Sequence, residues 1–405
     1  MNKEKAFWLS SALVSVVVGA CSAGQNGGFG GSEDGAGAQD AGTTVTVATA
    51  TAGQGGSGSF TDTTVTGMQA GCDAGPDEDK DEDGFTINNG DCNDCDANVN
   101  PAAIEVIDDG MGGGGGSVPA DEDCDMMVDN VADPCDMALP IDGTNPLDAA
   151  KSIELCKQAA GPNDWGVVSA QWVRANGTPA VVNAHMGILP DFGPNVATRK
   201  GDSMLAVSSG AARDATDPGF CSHSCSYNGV GTPPPGFPQD VPSCAGSTNI
   251  NDDVGLDVTL RAPTNATGYS FDFRFYSNEY PEWVCTSFND QFIALVNPAP
   301  MGSINGNISF DSMANPVSVN VAFFDVCQGC PAGTAELQGT GFADAEGGTT
   351  WLQTSAPITG GETFSIRFAI WDTGDTAYDS TTLIDNFSWI ANGGTVNVGT
   401  IDVPE

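Results

Sequence analysis

Alternating aspartates in the first third of the chain are the residues best suited to chemistry. Asp79, Asp81 and Asp83 occupy every second position, and Gly84 follows directly. Carboxylates at the first, third and fifth positions of a loop can surround one hard cation, and a glycine next to them permits the sharp turn that this requires. An EF-hand needs a glutamate at the twelfth position, where this chain has Gly90. The spacing therefore predicts a cation-binding loop that is not an EF-hand.

Further acidic residues follow this loop and recur later in the chain. Asp91 and Asp94 stand where they could complete the coordination of the cation, and a second run of aspartates follows the glycines at residues 112–116. Oxygen ligands without histidine favour Ca²⁺. A solvated acidic linker is the alternative interpretation. The predicted metal ligands are Asp77, Asp79, Asp81, Asp83, Asp91, Asp94, Asp121, Asp123, Asp125 and Asp129.

Residues 79–105 resemble the metal-binding repeat of MopE-like surface proteins, and also thrombospondin type 3 calcium repeats. The resemblance rests on the Asp-x-Asp-x-Asp-Gly run, on Gly-Asp-Cys-Asn-Asp-Cys-Asp at residues 90–96 and on Val-Asn-Pro-Ala-Ala-Ile-Glu at residues 99–105. Residues 121–129 resemble the closing half of the repeat, except that Met126 replaces the usual glycine and a glycine-rich insertion precedes the run. The MopE name has been tied to copper, but carboxylates without histidines suit Ca²⁺ better.

Polar side chains near the ends of predicted strands form a second candidate site, which could bind a cation or the hydroxyls of a sugar. Turn and cap chemistry explains aspartate and asparagine at such places equally well. The residues of this candidate site are Glu279, Asn289, Asp290, Asp372, Asp375, Asp379 and Asp385.

The segments that must position these residues are mostly β-strands. They are rich in β-branched and aromatic residues, and turns of Gly, Asn and Pro separate them. This pattern predicts a mainly β fold, an antiparallel β-sandwich of the jelly-roll type. One short amphipathic helix is predicted over residues 145–156, with Asn145 as its cap. The predicted strands cover residues 167–173, 254–260, 269–276, 288–296, 317–324, 364–371 and 383–390.

Six phrases stand out in this β region. They are Trp-Gly-Val-Val-Ser-Ala at residues 165–170, Gly-Ile-Leu-Pro-Asp-Phe-Gly at 187–193, Phe-Tyr-Ser-Asn-Glu-Tyr-Pro-Glu at 275–282, Phe-Asn-Asp-Gln-Phe at 288–292, Asn-Ile-Ser-Phe-Asp at 307–311 and Leu-Ile-Asp-Asn-Phe at 383–387. Together they resemble the choice-of-anchor L domain of bacterial surface proteins, over residues 135–391. The resemblance implies a surface β domain and no established activity.

The N-terminus has the three parts of an export signal. Lys3 and Lys5 precede an apolar run at residues 6–18, which is too short to span a bilayer. Small residues then lead to Cys21, and this resembles the lipobox of bacterial lipoproteins. The resemblance implies that Cys21 is lipidated and tethers the chain to a bilayer, and Ser22 favours the outer membrane by the sorting rule of enteric bacteria. An ordinary signal peptide with a chance cysteine is the alternative.

The composition excludes several classes of function. Acidic residues number 53 and basic ones 12, giving a net charge of −41, so the chain would repel nucleic acid. Twelve of the 13 cysteines remain when Cys21 is set aside, and in an exported protein this even number indicates disulfides, of which Cys135–Cys156 is one candidate. The chain has only two histidines, and no convincing catalytic motif, so we predict that it is not an enzyme.

These observations predict a surface-anchored protein of several parts. The predicted function is calcium-dependent adhesion or scaffolding at the cell surface, with a surface glycan or another surface protein as partner. A carbohydrate-binding or hydrolytic envelope protein and a purely structural spacer are the alternatives. The predicted parts are a signal peptide (1–20), a lipidated cysteine with a flexible linker (21–71), an acidic metal-binding module (72–134), a β-sandwich domain (135–391) and a C-terminal tail (392–405).

Overall fold

The computed structural model describes residues 73–107, 120–130, 134–222, 224–320, 323–391 and 394–404. The predicted signal peptide, the lipidation site at Cys21 and the predicted linker lie outside these residues. Among the residues described, no helix is both long and apolar enough to cross a membrane.

Strands dominate the described chain. The helical segments there are α1 (Pro146–Lys151) and two short 3-10 turns, Ile87–Asn89 and Ala335–Leu337. The strands, in chain order, are β1 (Gly166–Val173), β2 (Met186–Leu189), β3 (Met204–Ser208), β4 (Ile250–Arg261), β5 (Gly268–Ser277), β6 (Gln291–Asn297), β7 (Val317–Ser318), β8 (Phe324–Cys327), β9 (Gly347–Thr349), β10 (Leu352–Pro357), β11 (Thr363–Thr373), β12 (Ser380–Ile390) and β13 (Gly399–Asp402).

The strands form two antiparallel sheets. The first sheet has the order β1-β4-β11-β6-β7, and the second has the order β13-β10-β5-β12-β3-β2, with β9 pairing to both β5 and β8. In the first sheet Phe364 lies opposite Leu260, and in the second Phe271 lies opposite Thr354. The predicted antiparallel β-sandwich is thus confirmed.

Alternate residues of β5 hold the two sheets together. Phe271 packs edge-on against Phe368 of β11 with ring centroids 5.0 Å apart, and Phe273 lies 5.3 Å from Phe292 of β6. All four rings are buried. Burial of an aromatic side chain of this size stabilises the fold by about 1.5–3 kcal/mol, so this stack is a main source of cohesion between the sheets.

The other face of β5 is also covered. Arg274 is fully buried; its guanidinium lies 5.1 Å from the ring of Trp351 and donates a hydrogen bond to Glu336 at 2.8 Å. A buried guanidinium needs such a partner because desolvation is costly. Trp351 and Trp371 are buried as well, so both belong to the core.

Several element boundaries differ from the sequence-based prediction. The helix ends at Lys151 rather than near residue 156, because Ser152 caps it and Glu154 adopts a left-handed φ of 67°. Residues 317–324 do not form one strand, since β7 ends at Ser318 and β8 begins at Phe324. Strands β2, β3, β9, β10 and β13 were not predicted. Most of them are short and buried without clean alternation, the pattern that periodicity detects least well.

The C-terminal boundary of the sandwich also differs from the predicted boundary at residue 391. Residues 399–402, predicted as part of a tail, form β13 and pair with β10, where Thr400 lies opposite Thr354. The β-sandwich therefore extends beyond residue 391.

Disulfides connect segments that are far apart in the sequence as well as close sequence neighbours. The predicted Cys135–Cys156 bond is present and links the start of the sandwich region to the segment after α1. The local pairs Cys221–Cys225 and Cys327–Cys330 are also bonded. The other two described pairs are Cys92–Cys124 and Cys244–Cys285.

Candidate metal-binding sites

Loop 1 (residues 79–94) wraps its carboxylates around a common centre. The backbone N–H of Gly84 donates to Asp79 Oδ2 at 3.0 Å, and the N–H of Asp83 donates to Asp81 Oδ1 at 3.3 Å. The N–H of Phe85 donates to Asp83 Oδ1 at 2.8 Å. Gly84 has a φ of 96°, which a glycine adopts without steric cost. The backbone thus holds one oxygen of each carboxylate and leaves the other available.

The predicted ligands Asp91 and Asp94 lie close to Asp81 of loop 1. Their side chains are buried, with 3% and 2% of their surface exposed, and each offers an oxygen within 4.8 Å of one from Asp81. The N–H of Lys80 holds Asp94 Oδ1 at 2.9 Å. The Oδ2 atoms of Asp81, Asp83, Asp91 and Asp94 have no hydrogen-bond partner among the described residues. Buried oxygens of this kind are costly unless a cation binds them.

Loop 2 (residues 121–129) repeats the hydrogen bonds of loop 1. The N–H of Met126 donates to Asp121 Oδ2 at 2.9 Å, and the N–H of Asp125 donates to Asp123 Oδ1 at 3.2 Å. The N–H of Met127 donates to Asp125 Oδ1 at 2.8 Å. Met126 reaches a φ of 74° where loop 1 has glycine. The missing glycine therefore does not prevent the turn, although a non-glycine residue adopts this conformation at some cost.

Two glutamates that the sequence prediction omitted complete loop 2. Glu105 offers an oxygen within 4.8 Å of oxygens from Asp121 and Asp123, and likewise within 4.8 Å of oxygens from Glu122 and Asp129. Glu105 Oε2 accepts a hydrogen bond from the N–H of Asp129 at 2.7 Å. A signal for Glu105 was present, because it ends the phrase at residues 99–105 that carries the resemblance to the MopE-like repeat.

The charge of these loops favours a divalent cation. Burial, together with the negative charges of Asp83 and Asp81, raises the pKa of Asp91 to about 6. Burial likewise raises the pKa of Glu105 to about 7, with a contribution from the charge of Glu122. Lys80 is the only basic residue between residues 73 and 130. Clustered carboxylates without histidine are the ligands that Ca²⁺ prefers, and they fit copper poorly.

Two predicted ligands do not join these groups. Asp77 is exposed, and its Oδ1 accepts a hydrogen bond from Asn88 Nδ2 at 2.7 Å. Asp125 uses Oδ1 for the N–H of Met127 and Oδ2 for Asn130 Nδ2 at 2.8 Å. Both side chains shape the turns of the module rather than face the converging oxygens.

Asn100 joins the two loops to the sandwich. This fully buried side chain lies against Asp83 of loop 1, where it favours the ionised form of that carboxyl and opposes the rise of its pKa caused by burial. The Asn100 N–H donates to the carbonyl of Glu122 in loop 2 at 2.8 Å. Its Oδ1 accepts a hydrogen bond from Thr264 Oγ1, in the β4–β5 turn, at 2.9 Å. The Cys92–Cys124 disulfide adds a covalent link between the loops.

The second candidate site is only partly assembled. Glu279, Asp290 and Asp372 are fully buried and interact with one another. Asn289, the residue before Asp290, is buried as well. Asp379 is also buried and affects Asp372 electrostatically, but its carboxylate accepts a hydrogen bond from the N–H of Cys225 at 3.0 Å.

The remaining members of that prediction lie apart. Asp375 is exposed, and its negative charge contributes to the raised pKa of Glu279. Asp385 lies elsewhere, because it accepts hydrogen bonds from the N–H groups of Arg199 and Asn386, both at 2.6 Å, and pairs with Glu154. The prediction that Asp385 belongs to the same site is therefore wrong. Residues 383–390 alternate between the two faces of β12, and sequence alone does not show which group a carboxylate meets.

The pairing of Glu154 with Asp385 makes the stability of the fold depend on pH. Burial, together with the charge of Asp385, raises the pKa of Glu154 from 4.5 to about 9. The folded protein therefore holds this proton more tightly than the unfolded chain does, so its contribution to stability is complete below about pH 4.5 and declines as the pH rises towards 9.

We expect Glu154→Gln to remove much of this decline, because the amide cannot ionise. Melting temperatures of both proteins between pH 5 and 9, at constant Ca²⁺, test the expectation. Equal slopes for the variant and the parent would show that Glu154 does not hold the proton.

The fold and the two loops define a β-sandwich protein that carries an acidic, disulfide-linked module. The family model of the Choice-of-anchor L domain matches residues 243–389. This supports the resemblance over a shorter range than residues 135–391, since the phrases at 165–170 and 187–193 lie outside the match. Domains of this family are typically extracellular or at the cell surface, and the match suggests a surface-associated protein.

Other comparisons add no functional argument. The chain is similar to the enzymatically active domain of tailspike protein 4 from bacteriophage CBA120, at 8% identity and a TM-score of 0.19, over 57% of this chain and 20% of that one. It is similar to a β-glucosidase from Kluyveromyces marxianus at 10% identity and a TM-score of 0.19, over 52% of this chain and 20% of that one. The chain thus spans about a fifth of the length of each. A comparison with curated proteins found no match.

Proposed function

We propose that the chain is a cell-surface lipoprotein, anchored through Cys21, whose acidic module (residues 72–134) binds Ca²⁺ and presents the β-sandwich for adhesion or scaffolding. One observation carries the calcium part of this proposal. Two loops of different sequence share one hydrogen-bond pattern, and in each of them acidic oxygens converge within 4.8 Å. Ca²⁺ affinities on the order of 10⁻⁴–10⁻³ M are typical of extracellular modules and suit a role outside the cell.

Calcium would act by making the module rigid. Without a cation, the like charges of loops 1 and 2 repel one another and favour an open module. With a cation in each loop, Asn100 would be fixed between Asp83 and Thr264, and the sandwich would be held in one orientation relative to the acidic module. Many such rigid units on one surface would gain binding strength through high local concentration, even if each contact is weak.

The function can be tested on cells that normally display the chain. We expect deletion of the gene to reduce Ca²⁺-dependent attachment of these cells to each other or to a surface. The parent chain and the Asp77→Asn variant should both restore attachment, because Asp77 lies outside the converging oxygens. The Asp91→Asn/Asp94→Asn variant should fail to restore it at equal surface abundance.

Full restoration by the Asp91→Asn/Asp94→Asn variant would contradict a calcium-dependent role. Attachment that never depends on the chain would contradict adhesion altogether and leave a structural spacer. Release of sugars from a glycan by the purified chain would instead support the hydrolytic alternative.

A further inference from the structure

We propose that the chain binds a small carboxylate with an apolar body, an aromatic or short aliphatic acid, in a cavity beside helix α1. The cavity has a volume of about 180 Å³. It goes beyond the proposed function, because it takes no part in the converging oxygens of loops 1 and 2. We call it the lysine pocket, and the lining residues that matter here are Lys151, Lys157, Lys200, Trp165, Phe387 and Trp389.

The lysine pocket gathers a residue type that is rare in this chain. After residue 80 the sequence contains three lysines, and all three line this one cavity. They come from different places in the fold: Lys151 ends α1, Lys157 lies in the segment that leads to β1, and Lys200 lies in the segment before β3. In a chain with a net charge of −41, this convergence creates a local positive field that attracts an anion.

The ammonium groups of the lysine pocket remain available to a ligand. Lys151 Nζ lies 2.8 Å from Asp148 Oδ1, and Lys157 Nζ lies 3.0 Å from Asp164 Oδ1. Both pairs are partly exposed, and ion pairs of this kind are weak, so a ligand carboxylate can share these lysines. Lys200 is exposed and forms no ion pair within the part of the chain that the structure describes. Lys200 is therefore the best placed partner for a carboxylate.

The acidic side chains of the lysine pocket do not cancel its positive charge. Burial, together with the charge of Asp385, raises the pKa of Glu154 to about 9, so this lining residue is neutral at pH 7. Asp136 also lines the cavity, but its Oδ2 already accepts hydrogen bonds from the N–H groups of Asp202 at 2.6 Å and Ser203 at 2.7 Å. Three lysines thus face one acidic side chain that the backbone engages.

Apolar side chains form the walls of the lysine pocket. Trp165 and Trp389 are half-buried, Phe387 is buried, and the Cys135–Cys156 disulfide completes the wall. A cavity of about 150 Å³ in another protein takes up benzene, so this cavity is large enough for one ring and a short acid group. Walls of this kind favour an apolar acid over a sugar acid, whose hydroxyl groups would each need a polar partner.

Calorimetric titration of the full chain with phenylacetate and with hexanoate tests the proposal. The buffer is free of Ca²⁺, so that no ion in loop 2 can bridge to the carboxylate. We expect one site per chain. Lys200→Gln should weaken binding about fivefold, because it removes a partly exposed charge contact, and Lys200→Arg should restore it. Lys80→Gln is the matched control, since it removes the same charge from an exposed lysine outside the cavity and should leave the affinity unchanged.

Tryptophan fluorescence shows where the ligand binds. Phenylacetate should change the emission of the parent chain. The change should disappear in the Trp165→Phe/Trp389→Phe variant, while the heat of binding persists because phenylalanine keeps an aromatic wall. Circular dichroism checks the folding of every variant.

Four results would overturn the proposal. They are no saturable binding of either acid, equal affinity of Lys200→Gln and the parent, a fluorescence change that survives in Trp165→Phe/Trp389→Phe, and tighter binding of glucuronate than of phenylacetate. The last result would mean that the cavity selects a sugar acid. None of them would bear on loops 1 and 2, whose Ca²⁺ binding is measured separately.

Discussion

Replacing Asp91 and Asp94 by asparagine in the full chain is expected to weaken Ca²⁺ binding at loop 1 by at least about tenfold, because affinity at such sites follows the number of charged ligands. Both side chains are buried, with 3% and 2% of their surface exposed. In each of them Oδ2 has no hydrogen-bond partner among the described residues. Asparagine keeps the shape and one oxygen but removes the charge that attracts the ion. Calorimetric titration of the full chain with Ca²⁺ measures the change.

The same substitution should stabilise the calcium-free module, because it removes two repelling buried charges. A variant that binds Ca²⁺ more weakly, yet melts no lower than the parent in chelator, would therefore show loss of a ligand rather than loss of folding. Asp77→Asn is the matched control, since this exposed aspartate lies beside loop 1 and its Oδ1 accepts a hydrogen bond from Asn88. Equal loss of affinity in both variants would mean that general negative charge, not the loop geometry, attracts the cation.

The second large effect is expected from Glu105→Gln. Glu105 belongs to both groups of converging oxygens in loop 2, and it also accepts hydrogen bonds from the N–H groups of Asp123 and Asp129 at 3.4 and 2.7 Å. Losing its charge should remove the ion of loop 2 from the titration, while loop 1 keeps its ion. The number of Ca²⁺ ions bound per chain, measured by equilibrium dialysis, should fall by one.

Glu82→Gln provides the control for this substitution. Glu82 is an exposed glutamate of loop 1 that belongs to none of the converging groups, so its replacement should leave the number of bound ions unchanged. If the Glu105→Gln chain binds as many Ca²⁺ ions as the parent, Glu105 is not a ligand and loop 2 does not bind an ion in the way proposed.

Loop 1 could be predicted from sequence because its geometry is local. Asp79, Asp81 and Asp83 lie within one turn, and the glycine after them has the backbone freedom that the turn requires. Loop 2 was harder to assess because Met126 replaces that glycine. The structure shows that hydrogen bonds to Asp121 and Asp123 nevertheless hold the turn.

Contacts between distant segments were less accessible to prediction. Glu105 contacts loop 2 although it precedes that loop in the sequence by about 16 residues or more. Asn100 contacts Thr264, which lies 164 residues later in the sequence. Such contacts depend on how the module docks, which local spacing does not encode. The same limit explains why Asp385 was grouped with Asp372, although the two lie in different surroundings.

The β-sandwich was predictable where strands alternate, as in β5, because period-two patterning reports one buried face. The covering of the other face of β5 was not predictable, since an arginine such as Arg274 in an alternating strand is expected to face solvent. Its burial depends on Trp351 and Glu336, which come from segments more than sixty residues later along the chain. Short strands such as β9 carry too few residues for any periodicity.

Hydrogen–deuterium exchange of the full chain, with and without Ca²⁺, tests most directly whether calcium orders the module and fixes it to the sandwich. Ca²⁺ should slow exchange throughout residues 73–107 and 120–130. It should also slow exchange at the amide of Thr264 in the sandwich, which donates to the carbonyl of Ala102 at 3.0 Å. Protection should be lost at loop 1 in the Asp91→Asn/Asp94→Asn variant. Exchange in these residues that is equally slow or equally fast with and without Ca²⁺ would contradict the account.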